Sequence, residues 1–215
     1  MTPTAVGAPA RLTSLIARAH GLAESGQRRI LGIAGAPGSG KGTVAAALQN
    51  ALGPVAAVVP MDGFHLAGAE LERLGRTDRK GAPDTFDAAG YVELLRRLRK
   101  PDGQTVYAPA FHRAVEESYA GAIAIPSEVP LVITEGNYLL LDHGPWAKVW
   151  CLLDEAWFLA LDEHERVERL VERHMHHGKT IQQARQWVTR SDERNAALVN
   201  PTRVRADLVI HGDPR

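Results

Sequence analysis

Nine residues limit what this chain can fold into more than any others: Gly35, Ala36, Pro37, Gly38, Ser39, Gly40, Lys41, Gly42 and Thr43. Four of the nine are glycine. That density suits neither a helix interior nor a packed strand, but it lets a backbone curl tightly and turn successive N–H groups to one side. Upstream, residues 29–34 form an apolar run of strand length. Downstream, residues 44–52 are rich in Ala and Leu, which favour helix. A strand, a glycine turn and a helix in that order bring a ring of amides and the positive end of a helix dipole to one point. Lys41 adds a point charge there. This combination suits the β- and γ-phosphates of a nucleotide, with ATP the expected ligand.

The rest of the chain alternates strand-like and helix-like segments. Leu12, Leu15, Ile16, Ala19 and Leu22 give residues 9–25 a helical apolar face. Strands are expected over 55–60, 131–134, 157–161 and 207–210, and helices over 88–99, 163–177 and 180–198. The expected fold is therefore α/β, a P-loop NTPase three-layer sandwich with a parallel sheet covered on both faces. One domain spans residues 1–215, with a helical lid over about 163–195. In such sheets ligands gather beyond the carboxyl ends of the strands.

Two carboxylates stand at strand ends by this reading. Asp62 follows the strand 55–60 and Glu135 ends the strand 131–134. A hydroxyl nucleophile needs a group to orient it and accept its proton, and magnesium prefers oxygen ligands while keeping several waters. Asp62 is read as the base and Glu135 as the magnesium-shell carboxylate or a substrate anchor, with the two roles exchangeable. Thr43, Asp62 and Glu135 form the candidate metal set for Mg2+.

Composition removes other classes. Lys plus Arg equals Asp plus Glu at 25 each, so no global basic field recruits nucleic acid or an anionic membrane. The single cysteine, Cys151, allows no internal disulfide and is expected as a buried core thiol among Trp150, Leu152 and Leu153. Residues 1–10 lack the pattern of a secretory signal, and no apolar run approaches membrane-spanning length. The expected location is cytoplasmic.

The ordered series of segments resembles a known family. The glycine loop comes first. Met61, Asp62, Gly63, Phe64 and His65 follow, then residues 79–87, residues 107–113, and Thr134, Glu135, Gly136 and Asn137. Together they are similar to the phosphoribulokinase/uridine kinase/bacterial pantothenate kinase family, over about residue 28 to the end. The bacterial branch labelled nucleoside or fructose-transport kinase is nearest. The resemblance implies a phosphotransferase that uses ATP and Mg2+ on a hydroxyl of a small metabolite, whether nucleoside, pantothenate-like compound or sugar. It implies Asp62 as the activating acid, and His65, Arg79, Asp87, Tyr107, His112, Arg113 and Asn137 around the acceptor. Arg169 and Arg173 are the implied lid arginines over the transferring phosphate. The tyrosine–aspartate pair that uridine kinases carry near residues 107–113 is missing, which leaves the acceptor open. Family members are often dimers, so a homodimer is a further expectation.

Three readings compete with parts of this. Gly42 and Thr43 resemble adenylate kinases, which would make the acceptor a nucleoside monophosphate. A regulatory protein that binds and slowly hydrolyses ATP would carry the same loop. Arg169 and Arg173, four residues apart on one helix face, could be solvent arginines among Glu165, Glu168 and Glu172. His174, His176 and His177 are read as a solvated polar face rather than a metal site. Asn195, Pro201 and Arg203 are placed near the adenine by resemblance.

Overall fold

The structure, a computed structural model, describes residues 12–100 and 102–214. Residues 1–10 and the start of the helix expected over 9–25 lie outside the described residues. In chain order the elements are α1 (Leu12–Ala23), β1 (Arg29–Gly35), α2 (Lys41–Leu52), β2 (Ala56–Pro60), α3 (Gly68–Arg73), α4 (Ala88–Leu98) and β3 (Val106–His112). Then come β4 (Glu117–Ile125), β5 (Leu131–Gly136), β6 (Glu155–Ala160), α5 (Glu163–His176), α6 (Ile181–Trp187), α7 (Glu193–Val199) and β7 (Leu208–His211).

Five strands form a sheet in the order β2, β5, β1, β6, β7, with every neighbouring pair parallel. Parallel neighbours need a crossover, and the crossovers cover both faces, so the strands read as nearly unbroken apolar runs. Alternate residues feed two separate cores. Leu31, Ile33, Leu131, Ile133, Trp157 and Leu159 face α1 and α2, where Leu15, Ala19, Val44 and Leu48 complete the packing. Ile30, Ala34, Val59, Val132 and Phe158 face the other way, against Tyr91, Leu95 and Leu98 of α4 and against Trp146. This is the three-layer sandwich that the alternation of segments predicts.

Polar bonds tie the second layer to the strand ends. Thr134 Oγ1 donates to the Val59 carbonyl at 2.7 Å, which leaves its oxygen to accept from the Tyr91 hydroxyl at 2.6 Å. Both side chains are fully buried. One chain of bonds therefore links α4, β5 and β2.

Three features depart from the sequence expectations. A separate antiparallel hairpin, β3 with β4, stands apart from the sheet, with a register shift between Ala108 and Ala110. Residues 119–122 are Tyr, Ala, Gly and Ala, all exposed, which gives little β-propensity or burial pattern to read. The helix expected over 180–198 is divided into α6 and α7 by a π turn at Val188–Asp192. Cys151 is exposed rather than buried. Residues 146, 149 and 152 recur every third position along consecutive 3-10 turns, so Trp146 and Val149 are buried, Leu152 packs beside them, and Cys151 turns outward.

Candidate active site

The carboxyl ends of β2, β5 and β1 lie side by side, and a cavity of about 890 Å3 opens above them. Strand pairing sets the spacing: Glu135 is level with Pro60 on one side and Ile33 on the other, two residues before Asp62 and Gly35 respectively. The approach is close. A Cβ on Gly136 would stand 2.5 Å from that of Met61, so only glycine lets the two acid-bearing strand ends come this near.

The glycine loop connects β1 to α2. Gly38 and Gly40 have φ of 82° and 91°. A Cβ on Gly38 would meet Leu170 Cγ at 2.7 Å and the Arg166 carbonyl at 2.9 Å, so the loop lies tightly under α5. Gly40 caps α2, and Gly40, Lys41, Gly42 and Thr43 at that helix start line the cavity. Lys41 is 7% exposed and its Nζ donates to the Ala36 carbonyl at 3.0 Å. Ser39 Oγ is buried without a hydrogen-bond partner among the described residues. A cradle of amides, a lysine and an unpaired hydroxyl fits a polyphosphate.

The charges on the cavity floor perturb one another. Burial lowers the Lys41 ammonium to about 8, against the opposing pull of Glu135 and Asp62. Burial raises the Glu135 carboxyl to about 7, and Asp62 adds repulsion while Lys41 opposes the rise. Perturbation of this size by desolvation and specific charge partners is characteristic of working sites.

Asp62 lies in a short turn, Met61–Phe64, directly after β2. Its Oδ2 accepts from Arg113 at 3.1 Å. His65 follows, its ring 4.0 Å from that of Phe86 and 4.6 Å from that of Phe111. Burial, more than any neighbouring charge, lowers the His65 pKa, so the ring is neutral. Its Nδ1 donates to the Asp62 carbonyl at 2.8 Å, which leaves Nε2 as an acceptor.

Most of the expected residues meet at this cavity. Pro37, Gly38, Gly40, Lys41, Gly42 and Thr43 line it, as do Asp62, His65, Arg113, Glu135, Asn137, Arg169 and Arg173. Four expected acceptor residues do not. Arg79 pairs with Asp84 at 2.8 Å on the surface, and Asp87 caps α4 by accepting from the Gly90 amide at 2.8 Å. Tyr107 is 57% exposed. His112 is exposed against Tyr119. Their neighbours Lys80 and Phe111 line the cavity instead, and Arg113, next to His112, lines it as expected.

Trp187 and Asp192, which sequence reasoning missed, also reach the cavity, as does Lys179. His174 is not solvated, as expected from sequence, but pairs with Asp192 at 2.9 Å. The π turn that brings these groups round leaves no local pattern to read. Arg169 is engaged by Glu165 at 2.6 Å and Asp213 at 2.9 Å.

A family model described as Phosphoribulokinase / Uridine kinase family matches residues 30–215. The chain belongs to the phosphoribulokinase/uridine kinase family. It is 33% identical over 204 residues to a candidate uridine kinase of Schizosaccharomyces pombe, across 90% of this chain and 87% of that one. It is 31% identical over 189 residues to the uncharacterised protein YggC of Escherichia coli, across 86% and 78% of the two chains. The crystal structure of a candidate fructose transport system kinase from Silicibacter sp. TM1040 superimposes with a TM-score of 0.82 at 35% identity, covering 92% of this chain and 98% of that one. Membership makes the chain a nucleotide-binding phosphotransferase of the P-loop kinase class. No described helix is long and apolar enough to cross a membrane.

Proposed function

We propose that this family member is an ATP-dependent kinase that moves the γ-phosphoryl group to a hydroxyl of a small metabolite. One observation carries the reading: the Lys41 ammonium, after β1, and the Asp62 carboxylate, after β2, share a single cavity on either side of the end of β5. The lysine and the loop amides suit the phosphates. The carboxylate suits a proton acceptor.

In this reading Asp62 orients the acceptor hydroxyl and takes its proton as the new O–P bond forms. The bond between the γ-phosphorus and its bridging oxygen breaks, and ADP leaves. Arg173 and Lys41 neutralise charge on the moving group, and α5 above the loop keeps water out. Thr43 and Glu135 line the cavity beside Lys41 and would hold magnesium, with Asp62 kept for the acceptor hydroxyl; the ion takes one or two carboxylates and otherwise keeps water and phosphate oxygens. When bound, the ion neutralises phosphate charge. Among the described residues no three His, Cys, Asp or Glu side chains form a protein-only metal cluster, so phosphates and water would supply the rest of the shell.

A phosphate acceptor needs no base, so Asp62 separates this reading from a nucleoside monophosphate kinase. In Asp62→Asn, kcat should fall by about 10^2–10^4-fold while Mg-ATP still binds. A variant that turned over at the wild-type rate would remove Asp62 from the chemistry.

A further inference from the structure

One oxygen of Asp62 is already engaged. Arg113 Nη2 holds its Oδ2 at 3.1 Å, so that oxygen is covered on the side of Arg113. The clasp is weak. Arg113 sits in the turn between β3 and β4, with 47% of its side chain exposed against 30% for Asp62, and ion pairs so exposed are readily exchanged.

Two further cations face the same space. Lys80 Nζ and the Arg113 guanidinium lie 5.3 Å and 5.8 Å from the centre of one ring, Phe111. Arg173 on α5 lines the cavity with them and has no ion pair among the described residues. Burial first, and then the nearby charge of Arg113, hold its pKa below the usual arginine value. Three of the acids around them are engaged, Asp62 by Arg113, Glu116 by Lys80 and Asp192 by His174, while Glu135 on the cavity floor feels the charges of Arg113 and Arg173 without an ion pair among the described residues. Three cations thus converge on one wall: Lys80 and Arg113 in exchangeable surface pairs, and Arg173 in none.

We propose that Arg113 masks Asp62 until the acceptor brings its own anionic group, carboxylate or phosphate, to Lys80, Arg113 and Arg173, so that the acceptor is a hydroxylated anion rather than a neutral nucleoside or sugar. This rests on the reading of Asp62 as the base. An arriving anion draws Arg113 away, and both Asp62 oxygens then face the acceptor hydroxyl. Without an acceptor the base stays clasped, and bound ATP meets no activated water.

The test is hydrolysis of Mg-ATP without an acceptor, in the wild type, Arg113→Lys and Arg113→Gln, each alone and with sodium sulfate or sodium acetate. Arg113→Gln should hydrolyse about two- to fivefold faster than the wild type, the range expected from an exposed ion pair. Arg113→Lys, which keeps a cation, should stay near the wild-type rate. An anion should accelerate the wild type but not Arg113→Gln. Acceleration by sulfate points to a phosphorylated acceptor, and acceleration by acetate to a carboxylated one. An Arg113→Gln rate equal to that of the wild type, or a wild-type rate that neither anion raises, overturns the proposal. Melting of the wild type with Mg-AMP-PNP separates the two levels. If the analogue stabilises the protein, failure belongs to the masking alone; if it does not, failure belongs to the kinase reading.

Discussion

Lys41 and Glu135 show how burial sets the working range of single residues. Desolvation opposes charge on both, lowering the ammonium to about 8 and raising the carboxyl to about 7. Below about 7 Glu135 is largely protonated and a poor magnesium ligand; above about 8 Lys41 sheds the charge that suits phosphate. Both charges coexist only between these values, so Mg-nucleotide affinity should peak there and weaken on either side. The two groups are coupled, and the limbs of the profile belong to the pair. Calorimetric titration of Mg-AMP-PNP from pH 5.5 to 9 checks this. Glu135→Gln should lose the acid limb and keep the alkaline one. An affinity that stays flat across the range for the wild type would contradict the sign argument. Gly42 fits the same picture: a Cβ there would stand 3.8 Å from Glu135 Oε1, so the position that commonly supplies a magnesium-binding hydroxyl instead lies beside the carboxylate.

At the scale of elements, the bond chain from Tyr91 through Thr134 to Val59 holds together the strand ends that carry Asp62 and Glu135. Thr134→Val keeps the shape but leaves the Tyr91 hydroxyl and the Val59 carbonyl without that partner. Stability should fall by about 1–3 kcal/mol. The kcat should fall too, although Thr134 is not among the residues lining the cavity. Denaturant unfolding and steady-state kinetics measure the two effects, and a stability loss with unchanged kcat would show that the strand ends are held by other means. Sequence made the five sheet strands legible because each is a continuous apolar run in a parallel sheet. The loop was legible because its glycines, lysine and flanking elements agree. The acceptor segments were legible only as segments. Arg79 was expected and Lys80 faces the cavity; His112 was expected beside Arg113, and only Arg113 lines it. Arg79 closes a 3-10 turn and His112 ends β3, so in each case the next residue points elsewhere, and β3 pairs with β4, whose small exposed residues give little strand signal. The pairing of His174 with Asp192 spans a π turn and has no local spacing to betray it.

For the whole molecule, the decisive property is that the glycine loop, α5, α7 and the sheet form one packed body on the nucleotide side. Arg166 is 3% exposed, donates to the Pro37 carbonyl at 3.3 Å and pairs with Glu193 of α7. Gly38 lies against α5, and Lys41 begins a helix whose apolar face fills one of the two cores. A ligand in the cradle therefore binds the assembled fold and not the unfolded chain, whose amides are no longer aimed at one point. Such a ligand stabilises by about 2.7 kcal/mol when present at about 100 times its Kd. For a chain of this length each kcal/mol moves the melting temperature by about 2–4 °C, so saturating Mg-AMP-PNP should raise Tm by about 5–10 °C. Lys41→Ala should abolish most of that shift by removing the cradle's charge. Asp62→Asn should keep it, because its carboxylate is assigned to the acceptor hydroxyl. Differential scanning calorimetry of the three proteins, with and without the analogue, distinguishes the phosphate half of the cavity from the acceptor half. Equal shifts in wild type and Lys41→Ala would mean that the nucleotide is held somewhere other than the glycine loop.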